Sequence, residues 1–338
     1  MDITILIPHW KTKKITAYSI AQFIKYKGKH NVSIIVVNNS YPDDSIDSLK
    51  PFEKDITIIN NTSTKISSHG VAFDMAMPFV KTEWVLTAES DSFPTKEGYL
   101  DYYEDLINKG YDCAGSLLQL SGGQFVHPTG CLYRKSIWEE AQKYCDNIEY
   151  KYFPNMSRFG GFDSHLMVHK RFFDVFINNP EKYIELAKDY KGNTKEQMLE
   201  KLYHYQPICN VFHNGMGNLN ELFATYGQRN IESEVPHILL NNNDNLINRM
   251  GSEPGQVFCY WQLAMGKKIF FIPTETKWMP NRENQQQEYT KMENGILHLW
   301  GVSSYNDCPV EELQDIVKFK RNQVDELYNS LPENQKIK

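Results

Sequence analysis

Residues 3–7 form a short, largely β-branched apolar run closed by Pro8, and residues 32–37 form a second one closed by Asn38-Asn39-Ser40. Between them Ile15, Tyr18, Ile20, Phe23 and Ile24 recur at helical spacing. This strand–helix–strand opening constrains the chain more than any other feature. Strands that are apolar on both faces must lie inside a sheet covered by helices on its two sides, which predicts an α/β, doubly wound, mostly parallel architecture.

The pattern continues with a third strand over residues 56–59, a helix over 71–80 and a fourth strand over 83–88 that ends at Glu89-Ser90-Asp91-Ser92. In such sheets ligands sit at the carboxyl ends of the strands. A helix at 98–109, a strand near 113–118 and a Gly/Ser turn at 121–123 follow. Residues 145–250 read as mostly irregular, with helices around 162–176 and 180–205. Order returns with a helix over 257–265 capped by Gly266, a strand over 268–272 stopped by Pro273, and a polar loop at 285–287. Leu313, Ile316, Val317, Val324 and Leu327 then share one stripe of an amphipathic helix over 310–331. The expected division is a core over 1–240 and a C-terminal portion over 241–338 that completes the acceptor side.

With 36 Lys+Arg against 42 Asp+Glu, the net charge of −6 argues against a surface built wholly for polyphosphate. The 41% hydrophobic and 23% charged shares exclude disorder and fibrous classes. No apolar run approaches the ~20 residues of a membrane helix, and the opening residues have no basic segment or cleavage site of a signal peptide. A cytoplasmic location is therefore the default expectation. The six cysteines are scattered without a CxxC pair, so they read as reduced packing residues. The chain has no GxGxxG after its first strand, no GxxxxGK[ST] and no GxSxG, which removes dinucleotide, P-loop and serine-hydrolase readings.

Glu89 and Asp91 stand one residue apart at the end of a buried strand. Hard divalent ions need clustered oxygen ligands, and such an ion offsets the charge of a leaving diphosphate. Four segments, Ile3-Thr4-Ile5-Leu6-Ile7-Pro8-His9-Trp10, Ile35-Val36-Val37-Asn38-Asn39-Ser40, His69-Gly70-Val71-Ala72-Phe73-Asp74 and Glu89-Ser90-Asp91, together resemble the motif order of GT-A glycosyltransferases, in particular the inverting family 2, over about residues 1–135. Asn38 stands where that family usually has an acid, Asp74 where it has an Asn, and Glu89 where it has the first Asp of DxD.

The resemblance implies a GT-A fold and a nucleotide-sugar donor, UDP-sugar by analogy, with Mn²⁺ or Mg²⁺ as cofactor. Pro8, His9 and Trp10 would wall the nucleobase, and Asn38, Asn39 and Ser40 would bond base or ribose. His69, Gly70, Asp74 and Ser90 would complete the nucleotide site, and Glu89 and Asp91 would hold the metal. His9 and Trp10 also have a plainer reading, as a surface imidazole and a strand-end aromatic.

An inverting enzyme of this kind needs a carboxylate that deprotonates the acceptor hydroxyl. Asp163, in Phe159-Gly160-Gly161-Phe162-Asp163, and Glu253, in Gly251-Ser252-Glu253-Pro254, are the two candidates, with Asp163 preferred. The third metal ligand would be His213 if Asp163 is the base, or His298 if Glu253 is. His165 and His169 share a helix face but lack a third ligand and read as structural or acceptor-facing. The expected reaction is sugar transfer by single displacement to a saccharide or other hydroxyl acceptor. The alternatives are a non-catalytic nucleotide- or carbohydrate-binding protein on the same fold, or a transferase acting on modified DNA bases.

Overall fold

The computed structural model describes residues 1–62, 69–120, 123–146, 262, 267–279, 287–302 and 314–336. The first half runs β1 (Asp2–His9), α1 (Lys13–Lys25), β2 (Asn31–Asn38), a 3₁₀ helix (Asp44–Phe52), β3 (Ile56–Asn60), α2 (His69–Ala76), β4 (Trp84–Thr87), β5 (Ser92–Pro94), α3 (Tyr99–Asn108), β6 (Cys113–Leu120), β7 (Gly123–Val126), β8 (Cys131–Arg134) and α4 (Lys135–Asp146). The second half contributes β9 (Ile269–Ile272), β10 (Thr274–Trp278), β11 (Gln287–Met292), β12 (Ile296–His298) and the long helix α5 (Gln314–Asn329). Asp163, His213 and Glu253 lie outside the described residues, as do His165, His169 and the helices expected at 162–176 and 180–205.

The chain is a mixed α/β protein with a mainly parallel centre. Its main sheet has eight strands in the order β3-β2-β1-β4-β8-β6-β7, with β9 added on β6. The strands β3, β2, β1 and β4 are all parallel. β8 enters antiparallel between β4 and β6, and β9 pairs parallel with β6. Ile3, Ile5, Leu6 and Ile7 of β1 are wholly buried, as the apolar run requires of a strand covered on both faces. At about 1.5–3 kcal/mol for each large aliphatic side chain removed from water, this one strand anchors the core. Ile20 and Phe23 of α1 and Tyr99 and Tyr103 of α3 join the same cluster.

The helix expected over 71–80 is shorter, ending at Ala76 and continuing as a 3₁₀ turn over Met77–Phe79. Pro78 has no backbone N–H and cannot continue the α-helical ladder. A second sheet, β10-β11-β12-β5, is antiparallel and was not foreseen. It turns the supposed polar loop at Gln287 into the start of a strand and places β12 directly against β5, with His298 opposite Ser92. Among the described residues no helix is long and apolar enough to cross a membrane.

Gly115 on β6 shows how tightly the neighbouring strands β7 and β8 approach it. A Cβ there would lie 2.4 Å from Val126 Cγ1 and 3.0 Å from Cys131 Cα, so Gly115→Ala is expected to lower stability by about 1–3 kcal/mol through overpacking. Urea unfolding of the variant checks this; an unchanged midpoint would show that β7 gives way freely.

Candidate functional site

Strand β4 delivers the acidic turn to the sheet's carboxyl edge. Ala88 N–H donates to Leu6 O at 2.9 Å, and the Ser92 hydroxyl closes the turn by accepting from Glu89 N–H and donating to Glu89 O, both at 2.9 Å. Glu89, Ser90 and Asp91 are all buried. Pairing of β12 with β5, together with the Leu299 N–H donated to Asp91 O at 3.0 Å, brings His298 alongside. His298 Nε2 lies 2.8 Å from Glu89 Oε2 and 3.3 Å from Asp91 Oδ1. Three of the metal-ligand candidates read from the sequence thus converge on one point from segments about two hundred residues apart.

The electrostatics follow from burial and charge. Burial alone would drive the His298 imidazole towards neutrality, but the Glu89 and Asp91 carboxylates and their hydrogen bonds outweigh it and raise the pKa to about 10. The metal-free site therefore holds a proton on His298 between two carboxylates. Two carboxylates and an imidazole nitrogen meeting at one buried point form a donor set that suits a divalent ion, which would displace that proton.

His127 was missed by sequence reasoning. Its ring stacks on His298 at 5.6 Å and lies 5.3 Å from Trp300, and its Nε2 stands 3.9 Å from Glu89 Oε1. Glu89, His127 and His298 form a group whose ligand atoms lie within 4.8 Å of one another. The Thr129 backbone N–H donates to His127 Nδ1 at 3.2 Å, which assigns the ring proton of the neutral form to Nε2, facing Glu89. His127 thereby turns an N–H rather than a lone pair towards the carboxylate, at 3.9 Å. A lone His after a short hairpin gives no signal of this in sequence, because β6–β7 pairing carries it to the site.

Lys320 of α5 was also invisible. Its ammonium is buried, donates to Glu288 O at 2.5 Å, and is lowered by burial to about 8 against the pull of Asp91 and Glu288.

The remaining nucleotide-site expectations fall at the ends of β1, β2 and α2. His9 is fully buried, with Nδ1 3.1 Å from Thr16 Oγ1 and Nε2 2.9 Å from Ser45 Oγ, so both ring nitrogens are bonded within the protein. Asn38 is equally buried, its Oδ1 accepting from Ser40 N–H and hydroxyl and its Nδ2 donating to Asn60 Oδ1 at 3.1 Å. These two side chains, with Ser40, lock the strand ends together. Beside them Asn39 and Trp10 are only half-buried, and Asn39 Oδ1 accepts from Asn61 Nδ2 at 3.1 Å. Pro8 is buried within β1. Asp74 accepts from the Trp138 indole at 2.9 Å, tying α2 to α4, while His69 and Gly70 open α2.

Burial lowers the His9 pKa from 6.5 to about 4. The unfolded chain takes up this proton first, so the contribution is complete above pH 6.5 and is lost as pH falls towards 4, a difference on the order of 3 kcal/mol. Denaturant titrations at both ends of that range should show the loss in the parent protein and a smaller loss in His9→Gln; equal losses would remove His9 from the account.

No protein-family model matches the chain, and no curated protein matches it in sequence. Among solved structures it is similar to S. aureus TarS 1-349 in complex with UDP, at 14% identity and TM-score 0.32 over 42% of this chain and 49% of that one. It is similar to a second structure of S. aureus TarS at 11% identity and TM-score 0.38, over 69% of this chain and 47% of that one. A third likeness is the mannosyltransferase PcManGT from Pyrobaculum calidifontis in complex with GDP-Man and Mn²⁺, at 12% identity and TM-score 0.38 over 66% of this chain and 78% of that one. The matched part of this chain spans about half the length of the first of these. At such scores the likeness carries no assignment, and the functional reading rests on the site itself.

Proposed function

We propose that this protein is a nucleotide-sugar-dependent glycosyltransferase of the GT-A type. The observation that carries the reading is the convergence of Glu89, Asp91 and His298 at the carboxyl end of β4, in a sheet whose parallel half is ordered 3-2-1-4. A divalent ion held there, Mn²⁺ or Mg²⁺, would neutralise the departing diphosphate. Asp91 and Glu89 supply the negative oxygens for it, His298 supplies Nε2 once its proton has left, and His127 steadies the far oxygen of Glu89. The half-buried Trp10 and Asn39 at the neighbouring strand ends suit a base and ribose, in the crevice where open α/β sheets bind ligands. Asp163 or Glu253 would take the acceptor proton in a single displacement, and UDP is the proposed carrier.

A thermal-shift screen of nucleotide sugars with and without Mn²⁺ tests the reading, because a ligand of the native state raises its apparent stability. The expected result is a shift that needs both components, followed by slow donor hydrolysis in the same mixture. Binding without any hydrolysis or transfer would leave a nucleotide-binding protein in place of an enzyme.

A further inference from the structure

Lys320 of α5 is a lysine with no place at the surface, being only 1% exposed. Its ammonium donates to the neutral Glu288 carbonyl at 2.5 Å, while the Glu288 carboxylate is held by Lys277 Nζ at 3.1 Å. An ammonium taken out of water is costly unless negative charge nearby balances it. Burial lowers the Lys320 pKa from 10.5 to about 8, so folding disfavours its charge even with Asp91 and Glu288 pulling the other way. An apolar side chain of the same length would leave the fold more stable. The proposed chemistry so far gives this charge no task.

Its position is set by three neighbouring elements. Glu288 stands two residues before Thr290 on β11, and Thr290 lies opposite His298 in the register with β12. At about 3.4 Å per residue, the carbonyl that holds Lys320 is some ~7 Å along the strand from that pair. His298 Nε2 in turn lies 3.3 Å from Asp91 Oδ1. Val324 and Leu327 of α5, one and two helical turns beyond Lys320, pack with Ile15, Phe93, Leu299 and Val302. Phe93 follows Asp91 by two residues and Leu299 follows His298 directly, so α5 clasps both strands that build the acidic site. Lys14 Nζ holds Asp325 at 2.5 Å and ties the helix to α1. Asp91 is the carboxylate that pulls hardest on the ammonium.

We infer that Lys320 is a positioning residue of the acidic site: a buried counter-charge to Asp91, delivered by α5, that weakens the hold on a bare divalent ion and strengthens the hold on a diphosphate. The functional half of this rests on the proposed ion-binding role of Glu89, Asp91 and His298; the charge coupling to Asp91 does not. Inside a protein a fixed charge is felt over several ångströms, so the ammonium acts without touching either ligand. It repels a cation at Asp91 and attracts phosphate oxygens beside it. Carboxylates alone would hold the ion equally well before and after the nucleotide arrives. The added cation biases the site towards an ion that comes with its diphosphate.

The test uses the full chain at about pH 7 with Lys320→Met and Lys320→Gln. Both variants lose the charge, and only Gln keeps an N–H for the Glu288 carbonyl. Calorimetry should show Mn²⁺ alone binding about five-fold more tightly to both variants, and UDP at saturating Mn²⁺ binding about five-fold more weakly. A residue that merely braced the site would weaken both. Urea unfolding of metal-free protein then compares Lys320→Gln, Asp91→Asn and the double variant. The midpoint gained by Lys320→Gln should be larger in the Asp91→Asn background, where the balancing charge is already gone. Affinities that fall together, affinities that stay still, shifts confined to Lys320→Met, or equal midpoint changes in the two backgrounds would each overturn the inference. If the parent binds no Mn²⁺ at all, the ion-binding reading falls and the unfolding comparison alone decides: unequal changes keep Lys320 as the counter-charge of Asp91, and equal ones remove it.

Discussion

Raising the pH from about 6 to about 8 should strengthen the binding of Mn²⁺ to this protein by roughly a hundredfold, close to tenfold per pH unit. The reason is the proton on His298. Glu89 and Asp91 overcome the effect of burial and hold that imidazole protonated up to about pH 10, so any ion that uses Nε2 must first expel a proton over this whole range. The metal-free fold responds in the opposite direction. Because the folded pKa is raised from 6.5, the stability that His298 contributes is complete below pH 6.5 and drains away as pH rises towards 10. Calorimetric Mn²⁺ titrations across this pH range, paired with melts of metal-free protein, measure both trends. His298→Gln should flatten the first and remove the second. An Mn²⁺ affinity independent of pH in the parent would show that the ion does not use His298.

Asp91→Asn carries the second large effect. The substitution keeps the side chain's volume but removes one of the two charges that face the proposed diphosphate site. Loss of such a preorganised electrostatic contact is worth ~10²–10³ in turnover. Glu89→Gln should behave alike, because His298 Nε2 touches both carboxylates. His127→Gln should cost only ~10–100-fold, the scale expected of a residue that orients a ligand rather than providing one. The expected order of damage, Asp91 and Glu89 above His127, is read from metal-dependent nucleotide affinity and from transfer or hydrolysis rates. Equal losses at all three positions would mean that His127 itself ligates, through a flipped ring. The Asn and Gln variants should fold, since His298 can shed its proton when one carboxylate partner is gone, and melts at alkaline pH check this.

How much of this was legible in the sequence divides by the range of the interactions. The strands β1 to β4 and the helix α1 were written locally, in apolar runs of strand length and an amphipathic stretch between them. The acidic strand end was legible too, because two carboxylates after a buried strand mark a candidate site at the sheet's carboxyl edge. The antiparallel sheet was less visible. Its strands are short, Thr274-Glu275-Thr276-Lys277-Trp278 alternates only weakly, and its edge strand β12 pairs with β5, some two hundred residues earlier in the chain. His298 could be named only as one of two histidines after apolar residues; the pairing of β12 with β5 gives it its place. Neither His127 nor Lys320 had any local signature, since His127 arrives through the β6–β7 hairpin and Lys320 through the bond of α5 to Glu288 on β11.

The strand-end residues teach the converse. His9 and Asn38 stand at the positions where a nucleotide contact was expected, yet each has its polar atoms bonded inside the protein, to Thr16 and Ser45 or to Ser40 and Asn60. Local sequence names the residue type at a strand end but not whether its side chain faces a crevice or a neighbouring loop. Thr16 lies one helical turn into α1 and Ser45 opens a 3₁₀ helix 36 residues on, so these bonds exist only once the fold is formed.

The claim at the centre of this account is that Glu89, Asp91 and His298 form one ion-binding point for a nucleotide diphosphate. A crystal of the protein grown with Mn²⁺ and a nucleoside diphosphate, measured at a wavelength where manganese scatters anomalously, tests it most directly. The account expects an anomalous peak within roughly 2.5 Å of an Asp91 carboxylate oxygen and of His298 Nε2, with diphosphate oxygens completing the shell. A peak bound to the diphosphate but reaching neither Asp91 nor His298, or a nucleotide bound elsewhere on the chain, would contradict it.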